Sequence, residues 1–209
     1  IEVITLFVCL YCYRNFNAVR YKLFLPYLAF IVLFEFGSIH NWFSIHKSNL
    51  WSVNIEITIE FVFYSFFILS GYKNLRQRRA VTWLIISAVL FTLTDIFFLQ
   101  GIMVLCTIAI LVQYSVLIAL VCMFFYRKMH EFDANTSLLQ QPDFWVYTGL
   151  LFFFLSEFLF FASFTTMAYK KINNFHLLFT VISNVAILIL YSCLSISFLC
   201  FRRMKKLSY

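Results

Sequence analysis

Nine Asp and Glu residues stand in a chain of 209, and their positions hold most of the chemistry the sequence offers. Glu131, Asp133 and Asp143 follow the basic pair Arg127 and Lys128, and Glu2 stands near the start of the first apolar run. Glu35, Glu56, Glu60, Asp95 and Glu157 fall instead inside long apolar runs that hold no Lys or Arg. A charged group at the centre of such a run costs on the order of a few kcal/mol on insertion scales. These five must therefore be protonated, share protons, meet hydrogen-bond donors, bind a cation or face water. Glu56 and Glu60 are one helical turn apart and share a face, as do Thr180 and Asn184. His40 and His176 stand near the ends of their runs. Glu35, Glu56, Glu60, Asp95, Glu157, Asn184, His40 and His176 are the candidate ligand-binding set, suited to something small and cationic or rich in hydrogen-bond donors. The rival reading is that intramembrane Glu and Asn only tie helices together through Ser, Thr, Tyr and backbone groups.

Other chemistries find less support. His40 and His176 with Glu56 and Asp95 offer ligand types that suit zinc or manganese, but no H-x-x-x-H or H-E-x-x-H pair joins them. The last run has no Lys for a retinal Schiff base, and neither an Asp-Arg-Tyr helix end nor an Asn-Pro-x-x-Tyr segment occurs. The four His are poorly placed for haem ligation. Cys9, Cys12, Cys106, Cys122, Cys193 and Cys200 all lie in apolar runs, so no disulfide framework is implied. The residues call for no metal and no cofactor. A lipid-modifying enzyme, with carboxylates as acid–base groups, lacks an evident nucleophile–base pair and ranks last.

The elements that must position these residues follow from composition. Apolar residues make up 63% and charged residues 12%, too few polar groups to cover a soluble domain of this size. The solvent around most of the chain is therefore lipid. A spanning helix needs about 20 mostly apolar residues, and the runs fall at about 1–13, 24–43, 52–72, 80–99, 102–126, 143–168 and 173–201. The expected fold is all-α: a polytopic membrane protein forming one seven-transmembrane helix bundle over 1–209. The first run is too short to span alone, so this helix is expected to be partly truncated. A cleaved signal peptide is its rival explanation, but no small-residue cleavage site follows. The longest loop, 127–141, has room for a short interfacial helix around 137–139, and Pro142 suits the first turn of the helix that follows.

All of the 16 Lys and Arg except Lys47, Lys170 and Lys171 lie on one side of the predicted spans. That side is cytoplasmic by the positive-inside rule, which gives N-out and C-in. The net charge of +7 is then an orientation signal and a contact for anionic headgroups, with no nucleic-acid partner implied. At 1.5 Å per residue, Glu56 and Asp95 lie roughly 6 Å below the outer boundary, Glu35 and Glu60 roughly 12 Å, and Glu157 roughly 16 Å. With Asn54, Gln100, Gln113 and Asn184, they outline a cup opening outward. Trp42, Trp51, Trp83 and Trp145 stand near the boundaries, as belt anchors do.

Several strings carry a resemblance. They are Phe34-Glu35-Phe36-Gly37, Leu50-Trp51 with Asn54 and Glu56, Asp95 with Phe97-Phe98-Leu99-Gln100-Gly101, Pro142-x-Phe144-Trp145-x-x-Thr148-Gly149, and Tyr191-Ser192-Cys193. Together the chain resembles small, uncharacterised seven-helix integral membrane proteins of Bacteroidota-type bacteria, some of which accompany sensor histidine kinases. The resemblance implies a bacterial inner (plasma) membrane and a sensory or scaffold role, and brings no catalytic residues. The expected function is a sensory or signalling subunit that acts through a protein partner, a histidine kinase among the candidates. The contacts would be loop 127–141, from Arg127 to Gln141, and tail 202–209, from Arg202 to Tyr209. The alternative is a structural or accessory subunit of a larger membrane complex.

Overall fold

In an apolar medium the backbone must pair its own N–H and C=O groups, and long runs with almost no Gly or Pro do so as helices. The computed structural model describes residues 1–45, 48–72, 74–130, 138–169 and 175–207. Among the described residues the helices are α1 (Glu2–Cys12), α2 (Val19–Lys22), α3 (Phe24–Ile39), α4 (Leu50–Leu69), α5 (Leu75–Thr94), α6 (Thr107–His130), α7 (Pro142–Tyr169) and α8 (Phe175–Leu207). No strand occurs among them, only a single antiparallel bridge between Ile45 and Ser48. Among the described residues six segments are long and apolar enough to cross a membrane: Val19–Ile39, Leu50–Leu69, Leu75–Leu99, Thr107–His130, Pro142–Ser163 and Thr180–Arg203. The chain is a polytopic helical membrane protein.

The helices depart from the apolar runs mainly at their ends. α5 begins at Leu75, so Arg76, Arg78 and Arg79 are helical, and α6 and α8 likewise continue through Arg127–Lys128 and Arg202–Arg203. Long basic side chains allow this because they reach back to the polar boundary. α3 stops sooner than its run, at Ile39, where the chain turns through Asn41 at φ 57°. Pro142 opens α7, where its missing N–H removes no helical bond, and a short 3-10 turn, Leu138–Gln140, precedes it. The Asn74 side chain caps α5 by accepting from Arg76 N at 2.9 Å. At its far end α5 passes into a π-helical turn, Asp95–Leu99, and Gly101 reverses the chain at φ 88°.

α7 packs along α8 and α6, α8 also against α1, and α1 against α3; α4 and α5 pack on α6 and on each other. Alternating chain direction brings Arg14, Arg20, Lys22, Arg76, Arg78, Arg79, Arg127, Lys128, Arg202 and Arg203 to one end of the bundle, the basic end. α1, at 11 residues, rises only about 16 Å. Its stripe of Glu2, Thr5, Cys9 and Cys12 is buried, while Ile4, Phe7 and Tyr11 are exposed. Aromatic rings join the elements towards the basic end: Tyr27 stacks on Phe63 at 3.8 Å, and Phe24 meets Phe67 and Phe198 at 5.1 and 5.4 Å. Outward faces carry large apolar side chains, among them Leu90, Phe97, Phe98, Phe152 and Leu159. Contiguous exposure of that kind suits lipid and not water.

The α7–α8 contact is close because Gly149 has no side chain. A Cβ there would lie 2.8 Å from the Cys193 Cβ and 3.3 Å from the Leu190 carbonyl. Small residues allow this approach between membrane helices. Gly149→Val should lower stability by about 1–3 kcal/mol, read as a reduced unfolding midpoint in detergent against the wild-type protein.

Candidate functional site

The polar residues of the interior separate into two sets with different partners. The first set joins α4, α5 and α6. α6 starts at Thr107, and like any helix it leaves its first N–H groups without an intrahelical acceptor. Two side chains from elsewhere supply acceptors: Asn54 Oδ1 takes Cys106 N at 3.1 Å, and Asp95 Oδ2 takes Ala109 N at 3.1 Å. The Asn54 amide also donates to the carbonyls of Val104 and Ile102, at 2.7 and 3.2 Å. Gln113 Nε2 donates to Thr92 Oγ1 at 2.8 Å, joining α6 to α5. Asp95 is fully buried, and it is not among the groups that act electrostatically on Glu2, Glu56, Glu60 or Glu157. The structure thus gives Asp95 a capping role, apart from the remaining acids of the candidate set.

The second set is a cluster of glutamates. Thr5 Oγ1 donates to the Tyr191 carbonyl at 3.2 Å and pairs with Ser195 Oγ at 3.0 Å, which ties α1 to α8. Glu2 lies one turn earlier on the same face, buried, and its carboxyl meets that of Glu35 on α3. Glu60 is buried within electrostatic reach of Glu56, Glu157 and Glu2. Glu157 is buried on α7 and faces Ser183 on α8. The cluster grades from exposed Glu35 through half-buried Glu56 to buried Glu60 and Glu157. Tyr27, Tyr64, Tyr114 and Tyr191 all lie within electrostatic reach of Glu60. The Tyr64 hydroxyl is sealed from solvent, and its ring lies edge-on to Tyr27 at 5.5 Å. Carboxyl groups beside tyrosine rings suit a cation, which both attract.

Of the candidate set, Glu35, Glu56, Glu60 and Glu157 come together. His40 does not join them: it is exposed, its Nδ1 lies 2.8 Å from the Phe36 carbonyl, and its ring packs on Phe36 at 4.1 Å. Asn184 is exposed on α8. The side chain of His176 lies outside the described residues. Glu2 and the tyrosines were not in the set, yet they complete the cluster. The signal for Glu2 was its place on the stripe with Thr5, Cys9 and Cys12, the polar and small positions of a short helix.

A third polar group stands at the basic end. Arg20 Nη2 donates to both Asp143 oxygens, at 2.9 and 2.8 Å, and the Tyr21 hydroxyl donates to Oδ1 at 2.5 Å. This ties α2 to the first turn of α7, where a carboxylate also complements the helix dipole. Comparison of the chain with protein-family models, characterised proteins and solved structures gives no match.

The capping role of the first set has a local consequence. Asn54→Ala removes the acceptor of Cys106 N and the donor to two carbonyls, and should cost about 1–3 kcal/mol. Amide hydrogen exchange measured by mass spectrometry should rise across residues 100–109 in this variant and stay unchanged in α7.

Proposed function

We propose that the chain is a sensory or signalling subunit whose glutamate cluster takes a small cationic or hydrogen-bond-donating ligand. It would act as a seven-helix bundle, N-out and C-in, in a bacterial inner membrane. The observation that carries the reading is the convergence of Glu2, Glu35, Glu56, Glu60 and Glu157 from α1, α3, α4 and α7. No Lys or Arg stands on α1, α3, α4 or α7. Groups whose only task is to tie helices are expected to meet donors and acceptors, as Asn54 and one oxygen of Asp95 do. These glutamates lie instead within reach of one another, with Ser183 beside Glu157.

A ligand shifts a bundle only by its differential affinity for two states. α1 is the element best placed to register one, since it carries Glu2 into the cluster and packs on both α3 and α8. The response would pass to a cytoplasmic partner through loop 127–141 and tail 202–209, in line with the resemblance to proteins that accompany histidine kinases. Residues 131–137 and 208–209, and the side chains after Arg203, lie outside the described residues.

A second reading is an accessory subunit of a larger membrane complex. It draws on an apolar groove of about 500 Å3 between α3 and α4, walled by Pro26, Phe30, Ile59, Val62, Phe63 and Phe66, which a partner helix would fit.

The ligand reading is tested in nanodiscs with a panel of amines, polyamines and quaternary ammonium compounds. At least one should raise the unfolding midpoint of the wild-type protein. The shift should vanish in the triple variant Glu56→Gln, Glu60→Gln, Glu157→Gln. Hits that survive the triple change, or a panel without hits, would remove the cluster as a cation site. A reconstituted partner kinase should change activity with the same compound and lose that response in Glu60→Gln. The orientation has its own check in cells, in a background lacking the native cysteines. A membrane-impermeant maleimide should label Asn49→Cys directly and Arg76→Cys only after permeabilisation.

A further inference from the structure

At the basic end, the turn after α4, the last turn of α6 and the first of α7 enclose a cavity of about 760 Å3. Arg20, Asn74, Gln77, Arg127, Lys128 and Asp143 are among the residues that line it. Among the described residues one carboxylate lines it, Asp143, which is engaged by Arg20 and Tyr21. Arg127 and Lys128 therefore have no free acid among the described residues that line the cavity. The Arg127 guanidinium is held 3.9 Å over the Tyr72 ring, and its buried Nε has no hydrogen-bond partner in the protein. A guanidinium held on an aromatic face keeps its planar fork for an oxyanion. Gly71 keeps the wall open: a Cβ there would lie 3.0 Å from Arg20 Nη1 and 3.4 Å from the Tyr147 hydroxyl.

Helix geometry adds to the side-chain charge. The 20-residue helix α5 begins beside the cavity, with Asn74 as its cap and Gln77 in its first turn, and a helix start favours anions. Depth narrows the anion further. Arg127 lies 20 positions after Thr107, about 30 Å along α6, which matches the hydrocarbon thickness. The cavity thus stands at the level of lipid headgroup phosphates. Trp145, whose Nε1 donates to the Leu139 carbonyl at 2.8 Å, occupies the same boundary.

We propose that this cavity binds a phosphate-bearing anion, either the headgroup of an anionic phospholipid or a soluble phosphate compound. The rival is that these basic residues only set orientation and attract anionic lipid diffusely. The full chain in nanodiscs separates the two. One arm titrates phosphatidylglycerol into a phosphatidylcholine background, and native mass spectrometry follows the lipid retained. The other titrates inorganic phosphate and glycerol 3-phosphate into pure phosphatidylcholine discs and follows the unfolding midpoint.

Saturable binding of one anion per chain is expected in at least one arm, and the arm that saturates identifies the source. Arg127→Gln and Lys128→Gln should each weaken it about tenfold or more, the worth of one charge-assisted hydrogen bond. Arg76→Gln removes the same charge from an exposed position outside the cavity lining and should leave it unchanged. Lys128→Gln leaves the Tyr72 stack in place, so it carries the expectation even where Arg127→Gln fails to fold. Equal losses in Arg76→Gln and Lys128→Gln, or no saturable binding in either arm, would overturn the proposal.

Discussion

A polar atom surrounded by hydrocarbon must find its partner inside the protein, and the interior of this bundle is built around that demand. The start of α6 shows it most directly. Around Thr107, Asn54 on α4 and Asp95 after α5 reach across to take the N–H groups of Cys106 and Ala109. Asn54 also holds two loop carbonyls. Two side chains thus anchor the α5–α6 connection and fix how α4, α5 and α6 meet. The π-helical turn and Gly101 accommodate the bend that this arrangement requires.

The glutamates live under the same demand and answer it differently. They lie in the same half of the bundle as Asn54 and Asp95 but gather around one another and a layer of tyrosines. α1 is what closes this arrangement. Thr5 binds it to α8, and its packing on α3 brings Glu2 to Glu35. Helix–helix contact here positions charge as well as burying surface.

The two ends of the molecule are built by the same economy. With so little chain outside the helices, each polar site must come from the helices themselves and the turns between them. At one end this gathers carboxyl groups from α1, α3, α4 and α7. At the other, Arg20, Asp143 and Tyr21 clasp α2 to α7, and Arg127 rests on Tyr72 beside a basic cavity. Gly71 and Gly149 serve these two close approaches by having no side chain, one admitting Arg20 and the other admitting α8.

Composition and spacing were enough for the solvent, the helices and the charge asymmetry. Sixty-three per cent apolar residues in runs of about 20 can satisfy their backbones in lipid only as helices, and the basic residues mark one side. The pairing of Glu56 with Glu60 was legible too, because a four-residue spacing is a local property of any helix. Glu2 was not legible, since its importance lies in what α1 packs against. Asp95 and Glu157 show the limit most plainly: each is a lone acid in an apolar run, and nothing in their neighbours along the chain separates them. Packing set Asp95 beside the unpaired N–H groups of α6 and turned Glu157 towards Glu60. Which partner a buried carboxyl meets depends on the helix that lies across from it, and only the tertiary structure decides that.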